Sequence, residues 1–379
     1  MKKLALALAV STLFCGAAQA QSSIVIYGII DAAVVVTTNQ TASDGKKFAL
    51  DAGQLATSRW GFRGSEDLGG GLKANFNLEG TLANDTGGAG ASFGGGFVSA
   101  GSSANLFDRA SWVGLSGDFG TLQLGRINIL GIDSIGLADP MSLAHAGTNP
   151  NVAIAALNIG AFNGGFGANQ GGSGLRQNNS VKYISPFSDG NVGFGGAAMY
   201  SFGEKAGDTS ASSYSGLSGF YTDGTNGAAL VYSKLKDINN QASLTAWAAG
   251  GKIKLDPALT LRLTWSQNKV DGNILIGGAN ANNRKLSVLG LGVDYSISPQ
   301  MVLTGAYYNT KRSGDIEGKA DQYIGILKYS FSKRTTLYSS LTYAKAGSDK
   351  AQDVSLALGI IGAGNSSAVR WATGVMHSF

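Results

Sequence analysis

Cysteine, proline and charged residues are scarce in this chain, and long apolar runs are confined to its first residues. The 379 residues include one Cys and five Pro, and charged side chains make up 14%, against about 25% in an average soluble domain. After the first residues no stretch of ~20 apolar residues occurs, which excludes a spanning helix there. The single cysteine, Cys15, lies in an expected leader, so the mature chain can form neither a disulfide nor a thiolate metal site.

The first twenty residues have the pattern of a secretory signal peptide. Lys2 and Lys3 precede the apolar run 4–13, and small residues before Ala20 suit cleavage after that residue. We therefore expect a signal peptide at 1–20 and one domain at 21–379. Without the two leader lysines, 27 basic residues remain against 24 acidic ones, and this charge of +3 is too weak and dispersed for nucleic-acid binding.

Glycine is abundant, with 57 residues, and polar and apolar side chains alternate along many segments. Between 58 and 82, Arg59 and Arg63 share one face of a predicted strand, whereas Trp60 and Phe62 share the other. About sixteen such segments follow one another, with tight turns at one end and long loops at the other.

This pattern predicts an all-β fold, a closed antiparallel transmembrane β-barrel with short periplasmic turns and long extracellular loops. A large soluble all-β protein is the alternative, which the low charge disfavours. Aromatic residues near the predicted short-turn ends suit an interfacial girdle; they are Tyr27, Phe119, Phe187, Tyr295, Phe331 and Phe379.

Several segments resemble the Gram-negative general porins of the β-proteobacterial type. They are SSIVIYGIIDAAV at 22–34, SRWGFRGSEDLGGGLKANFNLEG at 58–80, FDRASWVGLSGDFGTLQLGR at 107–126, RQNNSVKYISP at 176–186 and the final VMHSF. The resemblance implies a homotrimer of sixteen-stranded outer-membrane barrels, with the third long loop folded into the pore. It also implies that the outer-membrane assembly machinery reads Phe379. The third loop departs from the family pattern because it is rich in Ala, Gly and Asn.

The candidate site is an electrostatic filter in the pore, because charges around a narrow point set ion preference. The negative candidates are Glu79 on the wall and Asp133 and Asp139 on the third loop. Arg126 has the same strand parity as the outward Leu124, so only a kink at the loop entrance would turn it inward. For Arg262, Lys328 and Arg370, the favoured alternative to a role in the filter is that their charges simply solvate a wide, water-filled lumen. The positive candidates are Arg59, Arg63, Lys73, Arg109, Arg126 and Arg262.

Enzymatic and metal sites have little support in the sequence. The G-x-S-x-G string at 90–94 lies in a Gly/Ser-rich stretch and lacks the strand–turn–helix context of a hydrolase. His145 and His377 are the only histidines, and neither has a ligand cluster nearby, so we expect no metal and no cofactor.

We therefore expect a passive channel for ions and small hydrophilic solutes, with a mild anion preference and with outer-membrane lipid around it. A substrate-selective channel is the first alternative. An adhesin that uses the loops at 83–107 and 347–367 is the second, and an outer-membrane hydrolase is the third.

Overall fold

The computed structural model describes residues 23–89, 106–145, 148–155, 175–272, 274–276 and 279–379. The predicted signal peptide, its cleavage site at Ala20 and the string at 90–94 lie outside these residues. None of the described helices is long and apolar enough to cross a membrane.

Strands make up most of the described chain. They are β1 (Ser23–Thr37), β2 (Lys47–Ala52), β3 (Arg59–Gly69), β4 (Leu72–Ala83), β5 (Gly88–Ala89), β6 (Ala110–Gly117), β7 (Gly120–Asn128), β8 (Arg176–Ile184), β9 (Gly193–Ser201), β10 (Tyr214–Thr222), β11 (Gly227–Lys236), β12 (Ala242–Lys254), β13 (Leu259–Gly272), β14 (Leu275–Ile276), β15 (Ala279–Asn280), β16 (Lys285–Ser296), β17 (Met301–Ser313), β18 (Gly318–Ser330), β19 (Thr335–Ala346) and β20 (Ser367–Ser378). The short helices are α1 (Leu130–Ile135), α2 (Pro150–Ala155), α3 (Ala351–Val354) and a 3₁₀ turn at Ser355–Ala357.

Eighteen of these strands form one sheet, in which β2 and β5 are short additions to sixteen strands that close into an antiparallel barrel. Closure comes from β20, which pairs with residues 29–37 of β1. The backbone N–H of Phe379 also donates to the carbonyl of Gly28 at 3.1 Å. The predicted fold class is confirmed, and the closed ladder satisfies the backbone groups that hydrocarbon would leave unpaired.

The other edge of β1 is shared by two strands that lie end to end. Residues 23–29 pair with β3, and residues 32–37 pair with β2. At the junction the buried Asp31 carboxylate accepts the backbone N–H groups of Leu55 at 2.6 Å and Ala56 at 2.8 Å. The hydroxyl of Tyr338 donates to its other oxygen at 2.5 Å. The sequence prediction missed β2 because only six residues alternate within a polar connection.

The connections alternate in length as predicted for most of the barrel. Two residues join β3 to β4, and four residues join β18 to β19, at the short-turn end. The opposite end carries the longer loops, although five residues join β11 to β12 there and four join β17 to β18.

The third loop, residues 129–175 between β7 and β8, packs in its described parts against the inner wall. Helix α1 contacts β10, β11 and β12, and α2 contacts β13 and β16. The buried Leu130 and Ile135 belong to one apolar cluster with Leu235 and Leu244 of the wall. The described parts of the loop therefore lie within the barrel.

Glycine on the inner wall allows this close approach. A Cβ added to Gly292 of β16 would lie 2.6 Å from Cα of Pro140, closer than real Cβ contacts come. Because that neighbour is a backbone atom, either the loop or the strand would have to move.

We therefore expect Gly292→Ala to loosen the third loop, since overpacking costs about 1–3 kcal/mol. The only other cysteine, Cys15, lies in the predicted signal peptide, so Ala138→Cys, at a fully buried position of the loop, provides the reporter thiol. Its labelling by a maleimide should become about tenfold faster when Gly292→Ala is added.

The matched control is Gly325→Ala, because a Cβ there meets no atom within 4 Å. Equal labelling rates in the two glycine variants would contradict the proposed contact.

Candidate functional site in the barrel lumen

The inner face of β3 and β4 carries a carboxylate surrounded by donors. Arg109 Nε lies 2.6 Å from Oε1 of Glu79, and Arg59 Nε lies 3.8 Å from Oε2. The hydroxyl of Tyr27 donates to the same Oε2 at 3.0 Å. Arg109 is buried, whereas Arg59 is half-buried. Both oxygens of the carboxylate therefore have donors from the wall itself.

Tyr27 reaches this carboxylate across a glycine. It lies opposite Gly61 of β3, where an added Cβ would come within 3.1 Å of the tyrosine ring. Its hydroxyl also donates to Asn77 Oδ1 at 2.8 Å. The guanidinium of Arg63 lies 5.1 Å from the centre of the ring, in a cation–π geometry.

The expectation that Tyr27 belongs to an interfacial girdle is therefore wrong, because its side chain lies inside the barrel. Its strand parity, shared with the buried Asp31, was the signal that could have indicated this. Of the other residues predicted for the girdle, Phe119, Tyr295, Phe331 and Phe379 are exposed large side chains.

Arg126 lies at a kink in β7, and a kink there is what an inward orientation of this side chain requires. The register between β7 and β8 shifts between Gly125 and Ile127, and Gly125 has a φ of +136°. Arg126 Nε donates to the carbonyl of Asp108 at 2.6 Å, and a second nitrogen donates to Asn178 Oδ1 at 2.5 Å.

A fifth arginine, which the sequence prediction missed, completes the group. Arg176 is buried at the start of β8 and interacts electrostatically with Arg109, Arg126, Glu79 and Asp108. The carboxylate of Asp108 accepts the backbone N–H of Thr81 at 2.7 Å and its hydroxyl at 2.8 Å. We call Arg59, Arg63, Arg109, Arg126 and Arg176 the arginine cluster; it faces two carboxylates.

Lys73 is not part of this cluster. It lies at the short-turn end of β4, where it is exposed and pairs in register with Asp67 and Ser116. Six residues separate it from Glu79, or about 20 Å along an extended strand.

The two loop carboxylates predicted for the pore connect the third loop to the wall. Asp133 forms a salt bridge with Lys182 of β8 and remains 41% exposed. Asp139 is fully buried, so the expectation that it is a free pore charge is wrong. Its Oδ1 accepts the hydroxyl of Tyr308 at 3.0 Å and the side-chain amide of Asn151 at 2.8 Å.

Arg262 also contacts the third loop, so it is not simply a solvated charge in the lumen. Its Nε lies 2.9 Å from Asp294 Oδ2, and another nitrogen donates to the carbonyl of Leu137 at 3.3 Å. Lys328 interacts electrostatically with the same Asp294.

Arg370 of β20 is buried at the point where the third loop meets β20. It donates to Gln54 Oε1 at 2.5 Å and lies 3.4 Å from Nδ1 of His145. The favoured alternative of simple solvation is therefore wrong for Arg262 and Arg370, because both fasten the third loop.

His145 is buried where the loop meets this wall. Burial, together with the positive charge of Arg370, lowers the pKa of His145 from 6.5 to about 3. The backbone N–H of His145 donates to the carbonyl of Gln54 at 2.6 Å, which holds the ring at the contact.

We expect acid to weaken this contact. Since the folded pKa of His145 lies below its ordinary value, its contribution to stability is present above pH 6.5 and is lost as the pH falls toward 3. The free energy of unfolding should fall by about 2 kcal/mol between about pH 7.5 and about pH 5 on account of this residue. Thermal unfolding of the wild type and of His145→Gln at both pH values isolates the effect. A wild type and variant that respond identically to pH would rule it out.

Within the described residues, no group of three or more His, Cys, Asp or Glu side chains is arranged to hold a metal ion. The buried His145 has Arg370 beside it rather than a carboxylate.

Comparisons with known proteins agree with this geometry. A family profile described as Gram-negative porin matches residues 5–349. Outer membrane porin protein 32 of Delftia acidovorans is 33% identical over 91% of this chain and 90% of its own length. A major outer membrane protein P.IB of Neisseria gonorrhoeae is 26% identical over 95% of this chain and 99% of its own length.

Among solved structures, one described as the anion-selective porin from Comamonas acidovorans has a TM-score of 0.75 and 25% identity. The match covers 95% of this chain and 100% of that one. The profile, these relatives and the closed sixteen-stranded barrel together show that the chain belongs to the Gram-negative porin family and is an outer-membrane porin.

Proposed function

We propose that this porin is a general diffusion channel with a mild preference for anions, and that it is not an enzyme. The observation that carries the anion preference is the arginine cluster, five guanidinium groups around two carboxylates on the wall formed by β3 to β8. Both carboxylates accept hydrogen bonds from the wall, so they offer little to a passing cation. Fixed positive charge beside a narrow aqueous path favours anions.

The third loop defines the narrow path in this proposal. Its described parts pack against β10 to β13 and β16, and its contacts reach Tyr308 of β17 and Arg370 of β20. Within the described residues, the third loop forms no hydrogen bond or salt bridge with Arg59 or Arg63, which keep solvent contact. Ions and small hydrophilic solutes would therefore pass between the loop and the arginines. The relative described as anion-selective supports the same sign of preference.

Replacing Arg59 and Arg63 with Gln should shift the reversal potential in a salt gradient toward cations. Arg63 is exposed and Arg59 is half-buried, whereas Arg109 and Arg176 are buried, so the charges of Arg59 and Arg63 act directly on ions in the path. We expect the anion-to-cation permeability ratio of the single channel to fall about twofold.

The matched control is Lys73→Gln with Lys254→Gln, which removes the same charge from two exposed lysines at the short-turn end. If the control shifts the reversal potential as far as R59Q/R63Q, net charge rather than position decides selectivity and the arginine cluster has no special role.

The same recordings separate the alternative functions. Large ohmic steps support the general channel, whereas steps that one class of solute blocks at low concentration support a substrate-selective channel. A folded barrel that gives no conductance in the bilayer would favour an adhesin that uses its loops.

We further propose that the porin is a homotrimer and that Phe379 is read during assembly. The family resemblance supports the trimer, and Phe379 completes the closure of the barrel through the backbone of Gly28. The detergent-extracted protein should have three times the mass of one chain, and Phe379→Ser should lower its amount in the outer-membrane fraction. A monomeric mass would contradict the trimer, and an undiminished amount of the variant would contradict the assembly signal.

A further inference from the structure

Five consecutive barrel strands carry a lysine on the outer face near the long-loop end. Four of these lysines are exposed, and Lys269 is half-exposed. They alternate with buried neighbours, so their side chains point away from the lumen. We call this set the lysine row; it consists of Lys269, Lys285, Lys311, Lys319 and Lys345.

The lysine row lies at one height. Each lysine stands 10 or 11 residues from the short-turn end of its own strand. With ~3.3 Å per residue and a tilt of ~40°, this places the row about 25 Å above the short-turn end, which is the height of the apolar band of outer-membrane barrels. The row therefore lies at the upper edge of the hydrocarbon.

An aromatic row just below it marks the same boundary. Tyr307, Tyr323 and Tyr343 are partners in register on three neighbouring strands, and their rings lie 5.0 and 6.3 Å apart. Tyrosine collects where hydrocarbon meets the polar headgroups. The lysines are two or four residues further along their strands, at headgroup level.

The row has few anionic partners within the protein. Lys269 forms a salt bridge with Asp271, but none of the other four does so with a described residue. Asp321 lies opposite Lys345, yet its Oδ1 accepts hydrogen bonds from Tyr307 and Asn309 at 2.8 and 2.7 Å.

Two cross-strand pairs in the row bring like charges together. Lys311 lies directly opposite Lys319, and Lys269 lies directly opposite Lys285. Like charges in such positions destabilise a sheet unless an anion lies between them.

We propose that the lysine row binds phosphate-bearing lipid headgroups in the leaflet around the long-loop end of the barrel. The headgroup phosphates would lie between the ammonium groups and relieve their repulsion, while the acyl chains cover the apolar face below. Basic residues near an anionic membrane surface contribute about fivefold each to lipid affinity. A second copy of this chain is a poorer occupant, because two such rows would repel each other.

Binding of lipid A, a glycolipid with two phosphates, to the detergent-solubilised porin tests the proposal. Native mass spectrometry counts the lipids bound as their concentration is raised, with dephosphorylated lipid A as the uncharged reference. Lys311→Gln with Lys319→Gln should weaken lipid A binding about 30-fold and leave binding of the dephosphorylated lipid unchanged. Lys311→Arg with Lys319→Arg should retain the affinity.

The matched control is Lys254→Gln with Lys333→Gln, two exposed lysines at the opposite end of the barrel. Loss of affinity in this control, or an unchanged affinity in K311Q/K319Q, would overturn the proposal. So would full displacement of lipid A by an equal concentration of inorganic phosphate, or a change in the number of chains per particle in K311Q/K319Q. Normal thermal unfolding and conductance of the variants would show that the barrel is intact, so this test is independent of the proposed ion preference.

Discussion

Backbone pairing between β1 and β20 is the contact on which the rest of this molecule depends. Strands in hydrocarbon must satisfy every N–H and C=O group within the protein, and an open sheet cannot do so at its edges. Here the ladder over residues 29–37 and the bonds between Gly28 and Phe379 close the ring. Once the ring is closed, the alternation of each strand separates a lipid face from a water face.

The water face is then divided by the third loop. Small residues such as Gly292 let the loop backbone lie directly on the wall, and Asp139, Arg262 and Arg370 fasten it there with buried polar contacts. A buried carboxylate or guanidinium without such partners would cost several kcal/mol, so each anchor also requires the loop to stay in place. In the arginine cluster, the exposed Arg63 and the half-buried Arg59, which also pairs with Glu79, keep solvent contact for permeating ions.

Much of the fold could be predicted from strand periodicity, since one residue in two must face lipid. The same parity placed Arg59, Arg63 and Glu79 on one inner face. Parity did not reveal short strands such as β2, because six alternating residues cannot be distinguished from a polar connection. Tyr27 was misplaced because an aromatic residue suits both an interface and a lumen, although its strand parity, shared with Asp31, indicates the lumen.

The family resemblance predicted that the third loop folds into the pore, but its contacts could not be predicted, because they join residues far apart in sequence. Asp139 meets Tyr308, which lies 169 residues further on, and Arg370 meets His145 across 225 residues. No pattern within a short stretch of sequence indicates such pairs. For that reason Asp139, a charged loop residue that was predicted to face the pore, is instead buried in the contact between the loop and the wall.

The constant height of the outer lysines has a consequence for the membrane around the barrel. Together with the short turns they mark a hydrophobic thickness of about 25 Å, which is thinner than the ~30 Å of an average bilayer. A thicker bilayer would draw ammonium groups into hydrocarbon, at a cost that rises with each ångström of mismatch. A rigid closed sheet cannot tilt individual strands to adjust, so the lipid must thin or the protein must move to a thinner region. The barrel can therefore distinguish membranes by their thickness as well as by their chemistry.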